Sequence, residues 1–318
     1  FEAREANRRL VMALEQDAVR LRQRQNTWTE FWTVKDLETF HNERTVISAV
    51  VGSGERGLDD GKPSLQSALN QPAGIVVLPP TSSFGYGDRY LICDSGNSRI
   101  CMHSSQHALN DHLPSPKLTT LCGTGQGNVI GAWQQAKFFR PRAACRNPAH
   151  PDWLIVCDTN NHSIKLLNMT SAQVFNLTNA TKPGFSDGNN ACFRFPVDIA
   201  PFPANPRQKT TEYVICDRGN HALRLLELTS HNQAKVTTLA GGPNLHGFED
   251  GRVAKAQLKT PIGAVVRPSD GCIFFVEQGN ASIRMLADKQ VTTLLAGAPL
   301  ESPSCICFGD TEDVLLIG

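Results

Sequence analysis

The stretch Tyr213-Val-Ile-Cys-Asp-Arg-Gly-Asn220 reads as a strand that ends in a tight turn. Its β-branched and aromatic residues favour an extended, half-buried backbone, and Asp, Gly and Asn are turn formers. The same pattern stands at Tyr90-Leu-Ile-Cys-Asp-Ser-Gly-Asn97, Leu154-Ile-Val-Cys-Asp-Thr-Asn-Asn161 and Phe274-Phe-Val-Glu-Gln-Gly-Asn280. The acidic members, Asp94, Asp158, Asp217 and Glu277, lie 64, 59 and 60 residues apart. A chain that repeats itself at such a period is built from stacked copies of one supersecondary unit.

Each turn leads into a second apolar strand, most of them carrying a basic residue, as in Ser163-Ile-Lys-Leu-Leu167, Ala222-Leu-Arg-Leu-Leu226 and Ser282-Ile-Arg-Met-Leu286. A further strand follows at Leu118-Thr-Thr-Leu-Cys-Gly123, Val236-Thr-Thr-Leu-Ala-Gly241 and Val291-Thr-Thr-Leu-Leu-Ala-Gly297, with weaker copies at 46–52 and 174–178. Glycine-rich loops (Gly57-Leu-Asp-Asp-Gly61, Gly184-Phe-Ser-Asp-Gly188, Gly247-Phe-Glu-Asp-Gly251) then run to Pro72, Pro196 and Pro261; Pro141 and Pro303 hold equivalent places, and an apolar strand follows each proline. Four short strands per unit, parted by turn residues without helical periodicity, predict an antiparallel all-β protein with one sheet per repeat, a β-propeller. A β-sandwich is the competing architecture, but it seldom carries one turn sequence at a fixed period.

The Asp-Ser-Gly-Asn-Ser-Arg-Ile of 94–100, the Pro-Ala-Gly-Ile of 72–75 and the Val-Thr-Thr-Leu-Ala-Gly of 236–241 resemble NHL repeats, and the resemblance covers roughly residues 45–318. It implies a propeller of about six blades of this repeat length. For function it implies several classes, because such propellers serve as protein-binding modules, RNA-binding modules, lyases and lactonases. Asp313-Val-Leu-Leu-Ile-Gly318 aligns with Asp152-Trp-Leu-Ile-Val-Cys157, so four complete units and half of a fifth are expected in this sequence, truncated at its C-terminal end. The strand at 46–51 is expected to close the ring as the outer strand of the last blade. The domain reading is a helical extension over 1–44 and the propeller over 45–318.

In that extension, residues 2–25 lack Gly and Pro and are rich in Ala, Leu, Glu, Gln and Arg, which predicts a helix. Val11, Leu14 and Leu21 fall on a narrow apolar stripe. With Trp28, Phe31 and Trp32 they are candidate anchoring residues, and 34–43 suits a second short helix. The acids Glu2, Glu5, Glu15 and Asp17 argue against a mitochondrial presequence.

With 31 Lys+Arg against 30 Asp+Glu, the chain has no bulk electrostatic pull toward nucleic acid or acidic membranes, and no apolar run is long enough for a membrane span. An acid that recurs in every unit reads as structural, since a catalytic residue would occur once. Asp94, Asn97, Asp158, Asn161, Asp217, Asn220, Glu277 and Asn280 are therefore expected to hold turns, the acid accepting backbone N–H groups and the Asn adopting the left-handed conformation. Candidate residues for binding on the loop face are His162, His221 and His246, with Lys165, Arg224 and Arg284 as a basic stripe. His162 and His221 hold equivalent places in adjacent units and could face one another; a zinc site would need a third ligand there, where the other units have Ser98 and Ala281. The stripe would serve RNA, although stem-packed surface side chains with charge in water are the preferred reading.

No nucleophile elbow, metalloprotease helix or paired Cys-x-x-Cys occurs. The expectation is a non-enzymatic protein-interaction scaffold without metal or cofactor, a subunit of a larger assembly that binds other proteins through its loop face and N-terminal helix. An RNA-binding propeller and a metal-dependent lyase or hydrolase are the alternatives.

Ten cysteines suggest a disulfide framework until they are aligned on the repeat. Cys93, Cys157 and Cys216 share one position, Cys145 and Cys307 another, and Cys122 stands where other units have Ala. Six therefore replace small apolar core residues. That predicts free thiols and an intracellular compartment, cytoplasmic or organellar, over the secretory origin hinted at by sequons at Asn168, Asn176, Asn179 and Asn280.

Overall fold

Prolines open the innermost strand of each full sheet, where a missing N–H leaves no ladder bond unmade. The computed structural model describes residues 30–31, 53–78, 89–104, 117–178, 182–203, 210–297, 300, 302–309, 311–312 and 314–318. The helices predicted over 2–25 and 34–43, the anchoring residues Val11, Leu14, Leu21, Trp28 and Trp32, and the closing strand at 46–51 lie outside these residues. Of the extension only Glu30–Phe31 is described, and it runs as a short strand parallel to Val314–Ile317.

Four antiparallel sheets follow one another along the chain. From inside outward, the first is Pro72–Leu78, Arg89–Asp94, Arg99–Ser104 and Leu118–Cys122. The second is Pro141–Arg146, Trp153–Asp158, Ser163–Asn168 and Gln173–Asn176. The third comprises Pro196–Pro201, Thr211–Asp217, Ala222–Ser230 and Gln233–Gly241, and the fourth Pro261–Val266, Ile273–Glu277, Ser282–Ala287 and Gln290–Ala296. Ile306–Phe308 and Val314–Ile317 begin a fifth. Each innermost strand lies against the next, so the architecture is all-β and propeller-like.

Successive sheets bury their facing side chains against each other. Leu91, Cys93 and Ile100 of the first meet Leu154, Val156 and Leu167 of the second. Ile155, Cys157 and Leu166 meet Tyr213, Ile215 and Leu226 of the third, and Val214, Cys216 and Leu223 meet Ala264 and Phe275 of the fourth. A strand buried on both faces reads as a continuous apolar run, which is why Tyr-Val-Ile-Cys shows no alternation. Burial of each large side chain contributes about 1.5–3 kcal/mol.

All ten cysteines are free. Cys93, Cys122, Cys145, Cys157 and Cys216 are buried as the repeat alignment predicts, and so is Cys101. Cys307 departs from that expectation: it is exposed on its strand, as is Cys305 just ahead of it. Burial pushes the Cys93 thiol up to about 12, so it stays protonated and inert.

Each innermost strand carries a β-bulge just after its proline, at Pro72/Gly74, Pro141/Ala143, Pro196/Asp198 and Pro261/Gly263. A bulge turns its extra residue out of the ladder. The extra residues are Ala73, Arg142, Val197 and Ile262.

Candidate functional site

The recurring acids end the second strand of each sheet with no solvent exposure, and each carboxylate collects three kinds of donor. The first is a backbone N–H from the segment ahead of the proline: Asn70 to Asp94 at 2.7 Å, Phe139 to Asp158 at 2.8 Å, Arg194 to Asp217 at 2.8 Å and Lys259 to Glu277 at 2.7 Å. The second is the side-chain amide three residues on. Asn97, Asn161, Asn220 and Asn280 each donate to the acid at 2.7–2.8 Å and also to a glycine carbonyl of the preceding loop, at Gly57, Gly127, Gly184 and Gly247. The third is the basic residue of the next strand: Arg99 at 2.7 Å, Lys165 at 2.6 Å, Arg224 at 2.9 Å and Arg284 at 3.1 Å.

These placements correct three expectations. Lys165, Arg224 and Arg284 form no surface stripe; all are fully buried, because each is the counter-charge of a buried acid. The asparagines occupy short 3-10 turns, and the left-handed residue is the one after each: Ser98, His162, His221 and Ala281, with φ between 44° and 55°. The Asn280 amide nitrogen is committed to Glu277 and Gly247, so that sequon offers no free acceptor.

In three sheets the arginine also grips an aspartate of the glycine-rich loop, pairing Arg99 with Asp60, Arg224 with Asp187 and Arg284 with Asp250. Those aspartates cap Thr120, Thr238 and Thr293 on the outer strand. The second sheet changes all three positions together, to Lys165, Ile130 and Asn176, and Lys165 donates instead to the Lys137 carbonyl at 3.0 Å.

His162 and His221 do not face each other, which is the third correction. The Nδ1 of His162 accepts the N–H of Phe195 at 3.1 Å, and that of His221 accepts the N–H of Thr260 at 3.1 Å. Phe195 and Thr260 precede prolines and have φ of 53° and 50°, a left-handed conformation costly for bulky and β-branched residues. In the first sheet Ser98 Oγ plays the same part toward Arg140 at 3.3 Å. The imidazoles thus tie the turn of one sheet to the inner strand of the next. Burial holds both below the usual histidine range, helped by Arg194 at His162 and by His246 and Arg194 at His221. His246 lies 5.7 Å from His221, ring centre to ring centre. Among the described residues no three His, Cys, Asp or Glu side chains are grouped to hold a metal ion.

The unrepeated residues converge elsewhere. A cavity of about 630 Å³ opens where the inner strands begin, lined by Ser95, Arg140, Arg142, Asn160, Arg218 and Ser304 among others. Arg142 is the bulge residue of the second sheet, Arg140 its left-handed pre-proline residue, and Arg218 the first turn residue of the third. Corresponding positions hold Gln71 and Phe195, Ala73 and Val197, or Ser95 and Thr159. Asp198 replaces the glycine of the Pro-x-Gly pattern; it accepts the Ala264 N–H at 2.8 Å, and burial pushes its carboxyl up to about 6. Sequence reasoning overlooked these four residues. Their signal was departure from the repeat, which alignment of the units contains but a search for recurring residues discards.

No protein-family profile matches the chain. A curated relative, Protein SUPPRESSOR OF QUENCHING 1, chloroplastic, of Arabidopsis thaliana, is 24% identical over 283 residues, covering 84% of this chain and 24% of the relative. The chain thus spans about a quarter of that protein's length. Among solved structures, an auxiliary nutrient binding protein from Bacteroides ovatus aligns at a TM-score of 0.50 with 16% identity, over 72% of this chain and 50% of that one. A nidogen/laminin complex aligns at 0.45 with 13% identity, over 76% and 70%. At such identities the first likeness concerns the fold alone, and it agrees with a propeller-like, all-β chain.

Proposed function

We propose that the chain is a non-enzymatic protein-interaction scaffold, an NHL-type propeller of about six blades, serving in an intracellular assembly. The observation that carries this reading is a rim of exposed apolar side chains, repeated from loop to loop. Leu58 is 60% exposed, Phe185 39% and Phe248 51%, each directly after the glycine bonded by a turn asparagine, and in the second loop Val129 and Ile130, two and three residues past Gly127, are 41% and 46% exposed. Regularly spaced apolar groups on rigid loops suit a protein surface better than a soluble metabolite. Phe185 and Phe248 also rest on the guanidinium groups of Arg224 and Arg284, at 4.6 and 5.4 Å from their centres, which holds the rings in place. The N-terminal segment would add a second contact.

The buried thiols favour a reducing compartment. The RNA alternative loses the basic stripe it rested on, and the lyase alternative loses the paired histidines. The test is recovery of stoichiometric partners from cells with the intact chain and with Phe185→Ser plus Phe248→Ser. Loss of partners with unchanged thermal stability supports the reading; undiminished recovery overturns it.

A further inference from the structure

Charge and backbone geometry at the cavity mouth depart from the repeat. Arg99, Arg224 and Arg284, buried in the sheets, are each matched by carboxylates, whereas Arg142 and Arg218 have none within ion-pair distance among the described residues. Among the described residues the Arg140 guanidinium donates to the amide oxygen of Gln71 and to no carboxylate. Arg140 and Arg142 remain exposed and Arg218 half-buried, and partial burial followed by the like charges of Arg218 and Arg140 holds Arg142 below the usual guanidinium range. Asp198, whose charge partly offsets Arg142, is one acid against three bases. A bulge and a left-handed backbone place two of them, Arg142 and Arg140, on the cavity lining.

Across the cavity, Ser95 of the first sheet, Asn160 of the second and Ser304 ahead of the fifth offer hydroxyl and amide groups. Guanidinium forks with neutral donors around them match the oxygen pairs of oxyanions. A space of about 630 Å³ takes a small molecule rather than a folded partner. We propose that this mouth binds a small ligand carrying two or more oxyanion groups, carboxylate or phosphate, clamped by Arg140, Arg142 and Arg218. This site is separate from the apolar rim and goes beyond the scaffold reading.

Calorimetric titration of the intact protein with citrate and with inorganic pyrophosphate, at neutral pH and low salt, tests it. One saturable site for either anion is expected, with binding to citrate alone assigning a carboxylate ligand and to pyrophosphate alone a phosphate ligand. Arg142→Gln and Arg218→Gln should each weaken it about tenfold or more, the loss expected for a charge-assisted hydrogen-bonded pair. Arg252→Gln, remote on the outer edge of the fourth sheet, should leave it unchanged. No saturable binding of either anion, or equal weakening by Arg252→Gln, overturns the proposal. Partner recovery by the Arg142→Gln protein separates this outcome from that of the scaffold test.

Discussion

Arg224 and Asp217 sit 2.9 Å apart with neither side chain reaching solvent, and the same guanidinium holds Asp187 of the glycine-rich loop at 2.7 Å. One side chain thereby fixes the end of a central strand, the start of its neighbour and the loop that wraps the outer edge. Buried charges tolerate this only when matched and hydrogen-bonded, which the Asn220 amide and the Arg194 N–H complete.

Breaking that pair should be costly. Arg224→Met leaves Asp217 unpaired and is expected to lower stability by about 3–5 kcal/mol in urea unfolding. Arg224→Met with Asp217→Asn should recover part of the loss, because the amide needs no counter-charge. Equal losses in the single and double variants would refute the pairing as the source of the effect.

The second sheet offers a cycle of substitutions. Lys165→Arg alone should destabilise, since Ile130 gives the longer guanidinium no acceptor. Combined with Ile130→Asp and Asn176→Thr, it recreates the arrangement of the third sheet. The triple variant should exceed the sum of its parts by about 1 kcal/mol or more, read from unfolding midpoints.

Protonation should loosen the joints between sheets. His162 and His221 have lowered pKa values and use Nδ1 as an acceptor, so the folded state resists their protonation. Their contribution is complete above the unfolded value of about 6.5 and declines as pH falls below it. His221→Asn keeps an acceptor that does not titrate. Its stability relative to the parent should therefore rise between pH 7 and 5, and a pH-independent difference would count against the role assigned to the ring.

Glycine at the turns should divide into two groups. A β-carbon on Gly219 would stand 2.5 Å from the Arg194 carbonyl oxygen, a backbone atom that cannot move aside, whereas one on Gly188 meets open space. Gly219→Ala should lower the thermal midpoint further than Gly188→Ala, whose penalty is the left-handed φ of 98° alone. The reverse order would show that the turn yields more readily than its packing implies.

Thiol chemistry should follow exposure. In native labelling read by mass spectrometry, Cys305 and Cys307 are expected to react well before Cys93, Cys101, Cys122, Cys145, Cys157 and Cys216. Modification of the buried set at the same rate would mean that the sheets open readily.

The repeat made the four strands of each unit, their turns and the structural nature of the acids legible, because every blade must satisfy the same backbone and burial demands. Arg224 was visible as a recurring base but misplaced at the surface: sequence spacing cannot tell an outward side chain from one buried against the next sheet. His162 and His221 looked like ligands because two imidazoles in register suggest a metal. The structure turns each toward the following sheet, where a strained pre-proline N–H needs an acceptor.

By itself the sequence determined a periodic, all-β chain, since alternating turns and apolar runs act through local backbone preference and burial. Tertiary structure alone decided which charges are paired and which are left over. Arg142 and Arg218 are 76 residues apart in the chain and become neighbours only when the sheets gather at the cavity mouth. Electrostatic energy depends on distance in space, so their uncompensated charge had no expression in the sequence until the chain was folded.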